Sequence, residues 1–403
     1  MKKLEKTLNL EHNLLQAAFL MVAAAMTSFV SPFYLVKGYT NTQIGLHLTV
    51  GSLLAIIGQP IFADFVDRTK RFNTVEMMMI VSVIPAILFI PLYFMKEASL
   101  LLSIISVLAS ATFSLVGPLF AAIGFKMSET GIKTDYGFAR AFGSLSYAAT
   151  CFVMGRLVDK FGGNFVPIVV IFTDICLLIV CAFTNKTFHE NHIGEVVHSE
   201  NTQEEDDTVS FKDFIKNNTS LMLLCLSVPF IMFTSNIIGY YLIQIIEPLG
   251  GTITDSGNLS SLAAVLELPC MMGFSKIESK LKLNNVLTIA AITYAIKAIT
   301  VYLSNNMTMI YVAFCMQFSS FALFTPGMVE YINRHTTRKE TVRGQALYTT
   351  ITSVGTMIVS SLSGYIIDNL GVKTLTLVSA ISCCFGVVLY IFLLNKNEKK
   401  KSS

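Results

Sequence analysis

Apolar residues in this chain come in long blocks separated by short polar intervals. Runs that reach the roughly 20 residues a helix needs to cross a bilayer core fall at 11–36, 42–63, 74–95, 98–126, 136–158, 164–184, 219–247, 257–275, 286–304, 307–333, 344–367 and 372–394. Twelve membrane-spanning helices are therefore expected, giving an all-α integral membrane fold. The first run is too long, and too soon followed by others, to be a cleavable leader. The start Met-Lys-Lys-Leu-Glu-Lys reads as a basic flank. The longest hydrophilic interval, Asn185 to Asn218, divides the chain into a six-helix bundle over 1–184, a linker over 185–218, a second six-helix bundle over 219–394 and a basic tail over 395–403.

Composition agrees with that pattern. Charged residues make up 14% of the chain and hydrophobic ones 53%, against about 25% charged in soluble domains. The linker is shorter than the ~50 residues a domain needs, which leaves no room for a soluble catalytic domain. The net charge of +3 is spread over scattered clusters and gives no support to nucleic-acid binding. All eight cysteines lie inside apolar runs without metal-ligand partners at usable spacing, so they read as small core residues, and no metal or cofactor is expected. The bias of Lys and Arg orients the spans. With the N-terminus inside, 22 basic residues flank the cytoplasmic ends and five (Lys37, Lys96, Arg156, Lys160, Lys373) the outer ends. Both termini are expected in the cytoplasm, and the protein in the cytoplasmic membrane.

An internal repeat supports two halves. Gly155-Arg-Leu-Val-Asp159-Lys-Phe-Gly162 in the fifth span matches Gly364-Tyr-Ile-Ile-Asp368-Asn-Leu-Gly371 in the eleventh at an offset of 209, and the same offset joins Pro60 to Pro269. Two parallel halves joined by a hydrophilic linker are the plan of transporters that rock about a midplane site.

Ionisable groups inside a bilayer are costly and mark cavities or pathways. Four lie well inside the predicted spans: Arg140, Asp174, Glu267 and Lys297. Polar residues accompany several of them at helical spacing. Arg140, Ser144, Tyr147 and Cys151 share one face of the fifth span; Asn236, Tyr240 and Gln244 follow at steps of four in the seventh; Gln317 and Ser320 lie in the tenth. Arginine offers a rigid donor fork and tyrosine an apolar ring with a polar tip, a combination suited to a polar, ring-shaped solute. Asp174, with Thr173 as its polar neighbour, is open to three readings: a proton carrier, a partner of Arg140 or Lys297, or a protonated and silent core residue.

Several of these segments look familiar. The stretch from Thr42-Gln-Ile-Gly45 through Gly58-Gln-Pro-Ile-Phe-Ala-Asp-Phe-Val-Asp67-Arg68 resembles the second span and following loop of the major facilitator superfamily, in particular its oligosaccharide:proton symporter branch. The likeness runs along nearly the whole chain. It implies that Asp67 and Arg68 act in gating on the inner face, with Ala63 standing where the loop motif has its leading glycine. The segment Tyr136-Gly-Phe-Ala-Arg140-Ala-Phe-Gly143-Ser144 resembles the one whose arginine binds sugar hydroxyls in that branch, with Tyr147 at the position of a ring-stacking tryptophan. Glu267, just before Pro269, resembles a glutamate used in both sugar binding and coupling. The rest of the branch's coupling machinery is replaced. Only alanines (Ala121, Ala122) lie near the position of the branch's fourth-span glutamate, Gln317 and Ser320 replace a histidine and a glutamate, and Lys297 replaces an arginine. Asn236 and Thr356 together replace an Asp–Lys pair.

These readings combine into one expectation. The chain is a non-enzymatic, monomeric secondary transporter of a small polar organic solute, sugar- or nucleoside-like, working by alternating access with proton coupling. Its binding residues are Arg140, Ser144, Tyr147, Asn236, Tyr240, Gln244, Glu267, Lys297 and Gln317, and Glu267 and Asp174 are its candidate proton carriers. A uniporter or exporter of the same fold, another coupling ion, and a non-transporting membrane sensor of the solute are the alternatives.

Overall fold

The computed structural model describes residues 2–69, 72–129, 136–191, 193, 214–216, 218–337 and 340–402. Its elements are helices: α1 (Lys2–Thr27), α2 (Val30–Val36), α3 (Asn41–Arg68), α4 (Thr74–Phe94), α5 (Leu100–Phe113), α6 (Val116–Glu129), α7 (Tyr136–Phe161), α8 (Val166–Glu190), α9 (Thr219–Ile246), α10 (Ile253–Lys280), α11 (Leu283–Leu303), α12 (Met307–Cys315), α13 (Phe321–His335), α14 (Thr341–Leu370) and α15 (Val372–Ser402). Polar side chains stop the apolar runs by capping. Asn73 and Glu76 form a capping box at the start of α4, while Ser99 and Asn306 cap α5 and α12, satisfying amides that no earlier turn can reach.

Among the described residues, eleven stretches are long and apolar enough to cross a membrane. The expected span 257–275 lies within α10, which is 28 residues long but carries Asp255, Glu267, Lys276, Glu278 and Lys280, and it is not among the eleven. Large apolar side chains point outward on most helices, among them Ile61, Phe172, Val388 and Phe392, as a lipid solvent requires.

The interruptions are regularly placed. Counting long helical segments in chain order, the first breaks between α1 and α2, the fourth between α5 and α6, and the tenth at a 3-10 turn, Met316–Phe318, between α12 and α13. The seventh, α9, contains one non-helical residue, Tyr241 (φ −121°, ψ 25°). Every third segment is thus irregular, a three-helix period inside each half. Irregular backbone at membrane depth is tolerated where protein or a water-filled cavity satisfies it, and broken helices are where transporters build their sites.

The chain divides into two compact units. The first comprises Met1–Glu195, Ile238–Val265 and Ser360–Asn369. One of its cores joins α1, α4, α6 and α8 through Leu15, Val22, Met78, Val81, Ile123 and Leu177; a second gathers Phe29, Phe33, Leu92, Met154, Val170 and Tyr241. The second unit comprises Val196–Ile237, Leu266–Val359 and Leu370–Ser403, around Val228, Val286, Tyr294, Phe324, Tyr331 and Tyr390.

Within the first unit, stretches from late in the chain pack on early ones. The Asp368 carboxylate accepts from the Asn41 amide N–H (3.2 Å) and Nδ2 (2.8 Å), and from the Thr42 amide N–H (2.7 Å) and Oγ1 (2.7 Å). Gln244 donates to Ser31 Oγ and to Asn41 Oδ1, at 2.5 and 2.8 Å. Tyr241 donates its hydroxyl to the Ser360 carbonyl at 2.9 Å, and Thr254 donates to Asp159 at 2.7 Å. Lys37, 3% exposed, donates to the Met95 carbonyl. Burial pushes its ammonium pKa below the usual lysine range, so this lysine, expected as an outer flank, is a buried tie and not a solvated one.

Candidate functional site

Two sets of polar side chains lie within the long helices. The set in the second unit is built around the 3-10 turn of the tenth segment. Because that turn interrupts the helix, Gln317 is carried inward, where it is 8% exposed. Lys297, on α11 and 2% exposed, donates from Nζ to Gln317 Oε1 at 2.6 Å. Gln317 Nε2 in turn donates to Glu267 Oε1, on α10, at 2.8 Å. The amide can take only this orientation, since an ammonium has no acceptor and a carboxylate no donor. The Lys297 ammonium also lies 5.4 Å from the centre of the Phe314 ring, a cation–π distance.

The arrangement is an amide-bridged pair of opposite charges. In a low-dielectric interior the two charges offset each other's desolvation, and the bridging amide couples them: adding a proton to Glu267 removes the charge that strengthens the Gln317 bond. Thr293 and Thr300, which share a face of α11 with Lys297, bond back to the Ile289 and Ile296 carbonyls of their own helix. Asn236, on α9, is half-buried.

The set in the first unit lies on α7 and faces α1. Arg140 is half-buried and donates from Nη1 to Ser144 Oγ at 3.3 Å, one turn on. Tyr147 Oη shares a hydrogen bond with Ser28 Oγ at 2.7 Å, and Cys151 Sγ lies 3.6 Å from the same hydroxyl. Ser28 sits in the α1–α2 break, so here too a helix interruption presents a polar group to its neighbour. The close fit of α1 on α7 rests on Gly143, where a Cβ would sit 2.6 Å from Gln16 Cγ.

The other expected residues lie apart from these sets. Gln244 is engaged with Ser31 and Asn41, and Tyr240 packs against the core that contains Tyr241. Asp174 is fully buried, and neither carboxylate oxygen has a hydrogen-bonding partner among the described residues. Of its three readings, a direct pair with Arg140 is not formed. Arg68 pairs with Asp64 through Nε at 2.9 Å, and both are exposed; the Asp67 side chain lies outside the described residues. Ser28, Ser31, Asn41 and the N-terminal turns of α3 and α10 escaped the sequence reading, which sought charges at mid-span and not neutral hydroxyls at helix ends.

Helices throughout the described residues, interrupted at every third segment, and a buried Lys297–Gln317–Glu267 chain are the setting in which the comparisons with known proteins decide the family. The sequence profile of the MFS_1 like family matches residues 14–398. The chain belongs to that family. This MFS transporter is 23% identical over 363 residues to the "Uncharacterized transporter YwbF" of Bacillus subtilis (strain 168), covering 89% of this chain and 87% of that one. It is equally 23% identical over 362 residues to the "Maltose permease" of Geobacillus stearothermophilus, with the same coverage. Its fold matches the crystal structure of the nucleoside transporter NupG with a TM-score of 0.76, at 12% identity, covering 96% of this chain and 98% of that one. The protein is therefore a multi-pass membrane transporter of the MFS fold, working on a small-molecule substrate in a lipid environment.

Proposed function

We propose that this transporter moves a small polar organic solute, sugar- or nucleoside-like, across the cytoplasmic membrane by proton-coupled alternating access. In this reading the chain has twelve spans in two six-helix bundles, 1–184 and 219–394, linked by 185–218, with the basic tail 395–403 and both termini in the cytoplasm. Arg140, Ser144 and Tyr147 are assigned to solute binding in the first half and Asn236, Glu267, Lys297 and Gln317 in the second, whereas Tyr240 and Gln244 lie apart from both sets; Asp67 and Arg68 act at the inner gate. The oligosaccharide:proton symporter branch is the assignment that the span-five and span-eight motifs favour, and the maltose permease among the relatives is in keeping with it.

The observation that carries the reading is the Lys297–Gln317–Glu267 chain at the break of a membrane helix. A transporter that couples solute to protons needs an ionisable group whose charge environment changes when solute arrives. Glu267 meets that need: a solute hydroxyl that displaces the Gln317 amide changes the partners of both charges at once. Asp174, buried without a hydrogen-bonding partner among the described residues, has no such connection and is the weaker candidate.

The test begins with a binding screen of sugars, nucleosides and aromatic acids on purified protein, followed by flux of the best ligand in proteoliposomes. Glu267→Gln is expected to lose uphill accumulation while keeping solute exchange, which moves no net proton. Uphill accumulation at the wild-type level in that variant overturns Glu267 as the carrier, and binding without any net transfer by the wild type overturns transport in favour of a sensor.

A further inference from the structure

The repeat that revealed two halves has no role in solute binding, yet it breaks a local rule twice. Asp159 and Asp368 each lie in the last turn of a helix, three residues before a glycine in the left-handed region, Gly162 (φ 81°) and Gly371 (φ 82°). A carboxylate at that end opposes its own helix dipole. A local rule broken at two equivalent positions points to a function.

The structure supplies the compensation. Asp368 reaches the first turn of α3, whose cap is Thr40. There it takes the amide N–H groups of Asn41 and Thr42, and Thr40 Oγ1 takes that of Gln43, so the three leading orphan donors are satisfied. Asp159 stands in the same relation to α10: it accepts from Thr254 Oγ1 at 2.7 Å, the distance at which Asp368 accepts from Thr42 Oγ1. Thr252 and Asp255 there repeat the reciprocal cap that Thr40 and Gln43 make on α3.

The two receiving helix starts form a second repeat. Thr40-Asn-Thr42-Gln-Ile-Gly45 matches Thr252-Ile-Thr254-Asp-Ser-Gly257 at an offset of 212. Both glycines are required by close approach: a Cβ on Gly45 would sit 2.5 Å from the Ser360 carbonyl oxygen, and one on Gly257 2.5 Å from that of Cys151. Ser360 and Cys151 are themselves 209 apart. Each half of the chain thus offers one aspartate helix end and one threonine helix start, and each engages the other half's complement.

We infer that Asp159 and Asp368 are a pair of equivalent latches, each holding closed one seam between the two halves at the face expected outside, and that both must release in every transport cycle. This rests on the alternating-access reading above and adds the residues that set the outward-opening step. The bonds suit a latch, because charge-assisted contacts to helix-start donors are directional and reversible. They are also unequal. Asp368 takes four bonds whose partners are all on α3, whereas Asp159 takes the Thr254 hydroxyl, so the α14–α3 seam is the harder one to open.

The test reads opening directly, without solute. Thr49 shares a 2.6 Å hydrogen bond with Ser361 inside the α14–α3 seam. A cysteine placed there (Thr49→Cys) is expected to react with a membrane-impermeant maleimide only when the seam parts. The same chain without Thr49→Cys gives the background from the native cysteines. Adding Asp368→Asn is expected to speed labelling about tenfold, and Asp159→Asn to speed it by a smaller factor, in protein that remains monodisperse. Should either variant fail to fold, Thr42→Val and Thr254→Val remove one hydroxyl donor each and are expected to act in the same order. Unchanged labelling in folded variants overturns the latches, and acceleration by Asp368→Asn alone overturns their equivalence. If labelling responds but the wild type moves no solute in liposomes, the latch stands and the transport reading fails; flux with unresponsive labelling does the reverse.

Discussion

The two polar sets on the long helices solve the same problem differently. In the second unit, opposite charges on α10 and α11 are joined through one amide, and Lys297 and Gln317 are nearly sealed from solvent. In the first, Arg140 stays half-buried, bonds a serine on its own helix, and is followed by a neutral tyrosine–serine contact. A sealed, internally neutralised set depends on each member for stability; a half-open donor fork has capacity left for a ligand. The first arrangement suits a coupling element and the second a solute hook.

The largest effect should come from breaking the sealed set on one side. Lys297→Ala leaves Glu267 and Gln317 facing each other without the cation, and a cost of about 3–5 kcal/mol is expected, read as a fall in the thermal midpoint of the purified protein. The double change Lys297→Met with Glu267→Gln removes both charges and should recover most of that stability while transport stays lost. A single variant as stable as wild type would mean that the charges do not depend on each other.

Arg140→Ala sharpens the contrast from the other side. Loss of a charged donor fork to solute hydroxyls corresponds to about 1.5–3 kcal/mol per bond, so binding should weaken by roughly 100-fold, with the thermal midpoint close to wild type. Binding at wild-type strength moves the solute site away from α7; a large loss of stability would make Arg140 a structural residue.

Much of this was legible in the sequence. Apolar run length alone located the long helices, because the bilayer leaves a spanning segment no alternative to the helix. The charges at Arg140, Glu267 and Lys297 stood out because hydrocarbon penalises them. The helix breaks did not stand out: Tyr241 and Gln317 lie in sequence as apolar as that of unbroken helices, and their backbone is set by tertiary contacts. The pairing of Gln317 with Glu267 crosses 50 positions and depends on a rotation introduced by the 3-10 turn, which periodicity arguments assume to be absent. The aspartates of the repeat were seen, but their partners are hydroxyls and amides at helix starts, ordinary capping residues until the opposing carboxylate is known.

Smaller effects mark the edges of the two sets. Tyr147→Phe removes the bond to Ser28 and should cost about 1 kcal/mol, visible as a modest drop in midpoint and a weaker preference among hydroxylated solutes. Asp174→Asn keeps the shape of a buried carboxyl that has no partner to lose, and its transport rate is expected to remain within about twofold of wild type, a change of ~0.5 kcal/mol or less. A complete loss of coupling in Asp174→Asn would transfer the proton role from the second unit to the first.

The central claim, that the sealed relay couples solute movement to protons, is tested most directly by following external pH while solute enters proteoliposomes that hold no other gradient. Wild-type protein should alkalinise the outside in step with solute uptake, and Glu267→Gln should exchange labelled solute with no pH change. Solute uptake by the wild type without alkalinisation, and without response to an imposed pH gradient, would contradict the claim and make the protein a uniporter or one driven by another ion.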